Sequence, residues 1–291
     1  MVIQWYPGHM ARAKKEMIAS LKLVDMVIEL SDARIPYSSR NPDIDGLASG
    51  KIRMIILNKA DTAEEKITSK WLEYYKEKGI PALAIDSRNS GSKKKIMEAI
   101  MKAAEIKFER DRKKGILKRP VRVMVCGIPN VGKSTLINTI AGKASAKVGN
   151  KPGVTKGNQW IRLNEKVELL DTPGLLWPKF EDQTVGSNLA FIGSINDEIL
   201  SRYDLSISLV ERLKAYPGKI NERYGVDESV PSADIIKAIG QAKLLLKKGG
   251  EVDEEKACRM LIDDFRSGKL GRISLESPDK GDSNVSEETG V

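Results

Sequence analysis

Apolar positions over the first 180 residues fall into two alternating patterns. Short aliphatic and β-branched runs at Val24–Leu30, Arg53–Leu57, Ala82–Ile85 and Val121–Cys126 read as strands. Between them, apolar residues return every three or four positions, which predicts helices within 1–22 (Met10, Ala13, Met17, Ile18 and Leu21 on one stripe), over 64–78, 93–112 and 135–141, and a short one before Ala48. Gln159–Arg162 and Val167–Leu170 add a strand pair. Strands separated by helices of this length imply βαβ units, a mostly parallel sheet and helices on both faces. From about Gln183 the strand pattern stops. Helical spacing covers 184–193, 197–215, 217–224, 232–247 and 253–267, with Ser232 as an N-cap and Gly249-Gly250 closing its helix. From Gly271 the chain is polar and aperiodic, the signature of disorder. The expected layout is an α/β domain over 1–180, a small all-α domain over 183–270 and an acidic tail over 271–291.

Charge changes this picture more than composition does. With 41% hydrophobic residues in 291, the chain can bury a full core, and no apolar run is long enough for a membrane span. The N-terminus carries no signal-peptide pattern, and Cys126 and Cys258 each sit in apolar surroundings as small buried residues, so a reducing cytoplasmic setting is expected. Net charge is +9; residues 276–291 contribute −4, so the body ahead of them carries +13. Such a body suits a polyanion, nucleic acid first and an acidic membrane second, although solvated lysines alone would give the same number.

The candidate chemistry lies where strands end. Gly127-Ile-Pro-Asn-Val-Gly-Lys-Ser134 stands between a strand and a helix, the context a phosphate-binding loop needs. Gly127 and Gly132 allow backbone N–H groups to converge on a phosphate, and the helix N-terminus adds positive potential. Lys133 supplies a full charge to the β- and γ-phosphates, and the Ser134 hydroxyl can ligate Mg²⁺. Asn130, Val131, Gly132, Lys133, Ser134 and Thr135 are the candidate phosphate contacts. A nucleoside triphosphate ligand follows. Asn58-Lys-Ala-Asp61 follows another strand. The Asp61 carboxylate can accept both N1–H and the 2-amino group of guanine, whereas adenine offers neither donor, so GTP is favoured over ATP. Asn58 reaches the base edge, the Lys59 stem packs on its face, and Ala60 completes the turn. After a third strand, Asp86-Ser87-Arg88 brings a backbone amide toward the base O6. Downstream, Thr155 is a candidate second hydroxyl ligand for Mg²⁺, Asp171 can hold the ion through water, and the Gly174 amide can sense a γ-phosphate.

In Ras-like GTPases the phosphate loop comes first and the guanine-specifying Asn-Lys-Xaa-Asp late; here the order is rotated. Together with Trp5-Tyr-Pro-Gly-His-Met10, Asp32-Ala-Arg-Ile-Pro-Tyr-Ser-Ser-Arg-Asn-Pro42, Pro152-Gly-Val-Thr155 and Asp171-Thr-Pro-Gly-Leu-Leu-Trp-Pro178, that order closely resembles the circularly permuted GTPases of the ribosome biogenesis GTPase A (YlqF-like) family. The resemblance runs from residue 1 to about 270. It implies a circularly permuted Ras-like domain with a mostly parallel sheet, GTP hydrolysed to GDP with slow intrinsic turnover, and a role in late maturation of the large (50S) ribosomal subunit. It further implies ribosomal RNA and ribosomal proteins as partners, contacted through the helical domain, with no membrane or DNA partner. The permutation places Gly174 about ten residues from that helical domain, so switch motion could be passed to it directly.

Leu175 stands where Ras-like enzymes carry a water-orienting Gln, and its side chain can neither donate nor accept. Alone, His9 reads as a residue that packs or caps the first helix; the resemblance instead implicates it in ribosome-stimulated hydrolysis. Asn130 serves either loop hydrogen bonding or, by the resemblance, K⁺ coordination. No heptad pattern calls for obligate association, so a monomer is expected. Two other readings stay open: a GTPase of tRNA modification or stress signalling, and an RNA-binding module, kept in view by Leu175, that holds nucleotide with little hydrolysis.

Overall fold

Alternate residues of one strand face opposite sides of a sheet, and both sides are covered here. Ile55 and Leu57 pack with Trp71 and Tyr75 of helix α3 (Glu65–Glu77), while Met54 and Ile56 join the cluster that holds Ile96 and Ile100 of α4 (Ser92–Ala103). The strand that does this is β2 (Ile52–Asn58). It lies in a six-stranded sheet with β1 (Met26–Asp32), β3 (Ala82–Ala84), β4 (Val121–Gly127), β5 (Gln159–Arg162) and β6 (Val167–Asp171), in the order β3-β2-β1-β4-β6-β5. All pairings are parallel except β5 with β6. Every position of β1 is buried, as a central parallel strand requires. The register sets Asp32 opposite Asn58 and Leu30 opposite Gly127, so the loops leaving β1, β2 and β4 start side by side.

The computed structural model describes residues 8–116, 119–142, 159–172, 174–177, 180 and 182–278. Its remaining helices are α1 (Gly8–Leu21), α2 (Asp43–Leu47), α5 (Glu105–Lys113), α6 (Lys133–Ala141), α7 (Gln183–Phe191), α8 (Arg202–Leu213), α9 (Lys219–Tyr224), α10 (Ser232–Ala242) and α11 (Glu254–Arg266). The α/β fold with a following helical region is as the sequence implies. No described helix is long and apolar enough to cross a membrane.

Four local expectations need correction. The helix expected over 93–112 is two helices, α4 and α5, separated at Ala104. Ser232 is the first residue of α10 and makes no cap bond; its hydroxyl is spent on the Glu211 carboxylate. That helix ends at Ala242 rather than 247. Leu244 takes φ +52°, and Gly249-Gly250 reverse the chain so that Leu246 bridges Val252. Finally, residues 271–278 are not a free tail. Ile273 N–H donates to the Thr62 carbonyl (3.0 Å), Leu275 N–H to that of Arg34 (2.8 Å), and Trp71 Nε1 to that of Glu276 (3.2 Å). The Glu276 carboxylate accepts from Tyr37 N–H (2.7 Å), Ser38 N–H, the Ser38 hydroxyl and Asn188 Nδ2 (2.9 Å). Residues 279–291 lie outside the described residues. The missed signal was the apolar pair Ile273 and Leu275 within a polar stretch.

This strap ties the helical region back to the sheet, and a substitution can weigh it. Glu276→Ala leaves the Tyr37 and Ser38 amides without their acceptor, a penalty of about 1–3 kcal/mol. Differential scanning calorimetry should therefore show a thermal midpoint lowered by roughly 3–10 °C; an unchanged midpoint would deny the strap any stabilising role.

Candidate functional site

Strand order reverses between β1 and β4. The chain runs outward through β2 and β3, then returns to the other side of β1. Ligands of open parallel sheets bind at the carboxyl ends of the strands at such a switch point. Asp32, Asn58, Gly127 and Asp171 close the four strands around it.

Asn58 is the hub. Its Nδ2 donates to the Val131 carbonyl (2.7 Å), and its Oδ1 accepts from the Ser87 amide (2.9 Å). Three loops far apart along the chain therefore meet on one buried side chain. The contact is close enough to dictate Gly132, whose φ of +96° suits glycine and where a Cβ would stand 2.4 Å from Asn58 Nδ2. Lys59, itself at φ +58°, donates from Nζ to the Asn130 carbonyl (2.9 Å) and pairs with Asp32 (3.0 Å). Ala60 N–H donates to the Ile85 carbonyl (3.0 Å), and Thr139 Oγ1 donates to the Ser87 carbonyl (2.6 Å), tying α6 to the same cluster. Gly174 lies against the phosphate loop, where a Cβ would meet Pro129 N at 2.9 Å.

The charges at this crevice are poised for an anion and a cation. Lys133 opens α6 and is buried; burial pushes its ammonium pKa down while Asp171 opposes the shift. Burial likewise pushes the Asp171 carboxyl up against the pull of Lys133. Asp171 Oδ1 is buried without a hydrogen-bond partner, and so is Asp61 Oδ1. Native structures rarely leave such oxygens unpaired, which makes both candidates for contact with a bound group. At the phosphate end, a carboxylate oxygen beside the first turn of α6, where Ser134 sits, is a donor set suited to a hard cation such as Mg²⁺. At the other end, Asp61 keeps one oxygen for a donor while Arg88 holds Oδ2 and Asp86 Oδ1.

Most of the residues expected at the site are thus brought together: Asn58–Asp61, Asp86, Ser87, Asn130–Lys133, Asp171 and Gly174. Ser134 and Thr135 follow in the first turn of α6. Thr155 lies outside the described residues. His9 falls in the first turn of α1, and its side chain lies outside the described residues. Leu175 is buried in the apolar core, with its N–H on the Gly127 carbonyl (3.2 Å). Asp32, Arg34 and Arg88 fall within motifs named from sequence, but their side chains were given no role there, and the Gly193-Ser194 turn was not singled out. Ser194 Oγ donates to the Pro129 carbonyl (2.6 Å), and Asn130 Nδ2 to that of Gly193. Asp32 was detectable in principle, because it ends a strand at the same edge as the known motifs.

A parallel sheet with a glycine-gated phosphate loop and an Asn-Lys-Xaa-Asp turn, joined in rotated chain order, defines a circularly permuted phosphate-loop GTPase. Residues 122–232 match the family profile described as 50S ribosome-binding GTPase. The chain is 46% identical over 286 residues to ribosome biogenesis GTPase A of Priestia megaterium, covering 97% of this chain and 99% of that one. It is 34% identical to the protein of the same name from Thermotoga maritima, with 95% of each chain covered. The crystal structure of GNP-bound YlqF from T. maritima superposes with a TM-score of 0.67 at 29% identity, covering 92% of this chain and 99% of that one. The chain belongs to the ribosome biogenesis GTPase A family.

Proposed function

We propose that this GTPase acts in late maturation of the large ribosomal subunit, binding precursor particles and their RNA through the helical region 183–270 and releasing on hydrolysis of GTP. In this reading Asn58, Lys59, Ala60, Asp61, Asp86 and Ser87 take the guanine, and Asn130–Thr135 with Gly174 take the phosphates. Ser134, Thr155 and, through water, Asp171 hold Mg²⁺, which when bound neutralises charge developing on the β- and γ-phosphate oxygens. The observation that carries the reading is the Asn58 hub, which sets the guanine turn and the phosphate loop on one side chain. Asn130 is the candidate K⁺ ligand, and its amide nitrogen is committed to Gly193. A body of net charge +13 supports an RNA partner, and a monomer in the cytoplasm fits a particle-bound factor.

Because Leu175 offers no group to orient water, intrinsic turnover is slow and another residue must supply that function on the particle. His9, the sole histidine of the chain, is the candidate. The test is co-sedimentation with large-subunit precursors under GDP, GTP and a non-hydrolysable analogue, with turnover measured on the same particles. Particle binding should require GTP or the analogue, and particles should stimulate turnover. His9→Ala should reduce that stimulated rate by about 10²-fold or more, as for loss of a general acid–base group, while GTP affinity stays near that of the parent. Equal stimulated rates would remove His9 from the reaction, and equal sedimentation in all nucleotide states would remove the particle as the GTP-dependent partner.

A further inference from the structure

Asp32 ends its strand at the nucleotide site without facing the crevice chemistry assigned so far; it is fully buried and both of its oxygens are committed. Oδ1 accepts from Arg34 N–H (3.1 Å) and Nε (2.9 Å); Oδ2 accepts from Arg34 Nη2 (2.8 Å) and pairs with Lys59 Nζ (3.0 Å). Arg34 is as deeply buried as its partner, at 1% side-chain exposure. A bidentate guanidinium–carboxylate pair is the strongest and most directional ion pair a protein makes. Although burial opposes ionisation, Arg34 and Lys59 together hold the Asp32 carboxyl well below the usual carboxylate range. Asp32 is therefore an anion fixed by Arg34, and it offers its second oxygen to Lys59.

The other side of Arg34 faces the helical region. Its Nη1 donates to the Phe265 carbonyl (2.9 Å) and reaches that of Arg266 (3.4 Å), while the guanidinium lies 5.0 Å from the centre of the Phe265 ring. These are the last carbonyls of α11, where a cation is favoured by the helix dipole. Arg266 in turn donates to the carbonyls of Phe191 (3.0 Å) and Ala190 (2.7 Å) and pairs with Asp197. Gly193 and Ser194, which follow at once, hold Asn130 and Pro129 of the phosphate loop. The contacts form a closed ring from Lys59 through Asp32, Arg34, the end of α11, Arg266 and the 193–194 turn to Asn130, whose carbonyl accepts from Lys59.

We propose that Asp32 and Arg34 are positioning residues for guanine nucleotides: they set Lys59 against the base, and the seat of α11 under Arg34 completes that setting. The proposal rests on the assignment of Lys59 as the residue packing on the base. Lys59 holds an unfavourable left-handed backbone at its own position, so its side chain needs two fixed acceptors, Asp32 and the Asn130 carbonyl, to stay in one place. Release of α11 would free Arg34, loosen the Asp32 anion and weaken the hold on the base.

A double-mutant cycle tests this, with the affinity of the full-length chain for a ribose-labelled fluorescent GDP as readout. Lys59→Ala should weaken binding about tenfold, a change of roughly 1.4 kcal/mol. Arg34→Ala and Asp32→Asn should each weaken it by a similar factor. Neither should weaken it further when combined with Lys59→Ala. A merely structural role would lower thermal stability and leave the affinity of the folded protein unchanged. Affinity at the parent value in either folded single variant, or additive losses in the double variants, would overturn the proposal. So would failure of both variants to fold, since the pair would then be a structural staple. If Lys59→Ala itself has no effect, it is the base assignment that falls.

Discussion

Asp61→Asn is expected to exchange the base preference of this GTPase from guanine to xanthine. Guanine presents two donors, N1–H and the 2-amino group, and a carboxylate accepts both. Xanthine keeps N1–H but carries a carbonyl at C2, which needs a donor. An amide at this position can accept from N1–H and donate to that carbonyl, whereas toward guanine it sets an N–H against an amino group. Sites built to satisfy hydrogen bonds reject the mismatched partner by on the order of 10⁴-fold, and a loss of that order in GTP affinity is the expected result, with a matching gain for xanthosine triphosphate. The geometry of Asp61 supports this expectation: its Oδ1 is buried without a hydrogen-bond partner, while Arg88 holds Oδ2. Binding of both triphosphates to the parent and to the variant decides the matter, and a variant that still prefers GTP would remove Asp61 from base recognition.

The second large effect is expected from a single added methyl group. Gly132→Ala puts a Cβ 2.4 Å from Asn58 Nδ2 at a φ of +96°. The backbone strain alone is about 1–3 kcal/mol, and the clash must be relieved by moving Asn58. Because Asn58 is what holds Val131 and Ser87, its displacement opens the phosphate loop and the base side of the crevice together. Misplacement of positioning groups by about 1 Å reduces activity about 10²-fold, so GDP affinity and turnover should fall at least that far, with a thermal midpoint lower by roughly 4–10 °C. Gly50→Ala is the matched control. Gly50 also has a positive φ, +76°, but nothing lies within 4 Å of a Cβ there. Its variant should lose stability by strain alone and bind nucleotide as the parent does. Equal nucleotide binding in the two variants would show that the Asn58–Gly132 contact does not hold the site together.

How much of this was legible in the residues follows from the range over which each feature is set. Local pattern sufficed for the alternation of strands and helices, because hydrophobic period is a property of ten-residue windows. It also sufficed for the phosphate loop and for finding the Asn-Lys-Xaa-Asp turn, since both are short segments whose glycines and polar side chains lie within eight residues of one another. Even the rotated order of those motifs is a fact of sequence. Two of the errors fell where a neighbour distant in the chain overrode the local preference. Ser232, a sound N-cap by type, gave its hydroxyl to Glu211. The residues after Gly271, too polar to suggest order, are ordered through acceptors on Arg34 and Thr62 and donors on Tyr37, Ser38, Trp71 and Asn188.

Tertiary structure alone decided the centre of the site. The motif Asn58–Asp61, read by itself, led only to the expectation that Asn58 reaches a base edge. That the same side chain also clamps Val131 follows only from the parallel register of β1 with β2 and with β4, which brings the strand ends level. In the same way Asp32-Ala-Arg34 is a strand end by sequence and an ion pair seated on α11 only in the fold, where Phe265 is 231 positions away along the chain. The nucleotide motifs are legible in short segments because phosphate and base devices are local; the contacts between the phosphate loop and the helical region were not, because they depend on buried charges and carbonyls that pair only when the sheet and the helices have packed.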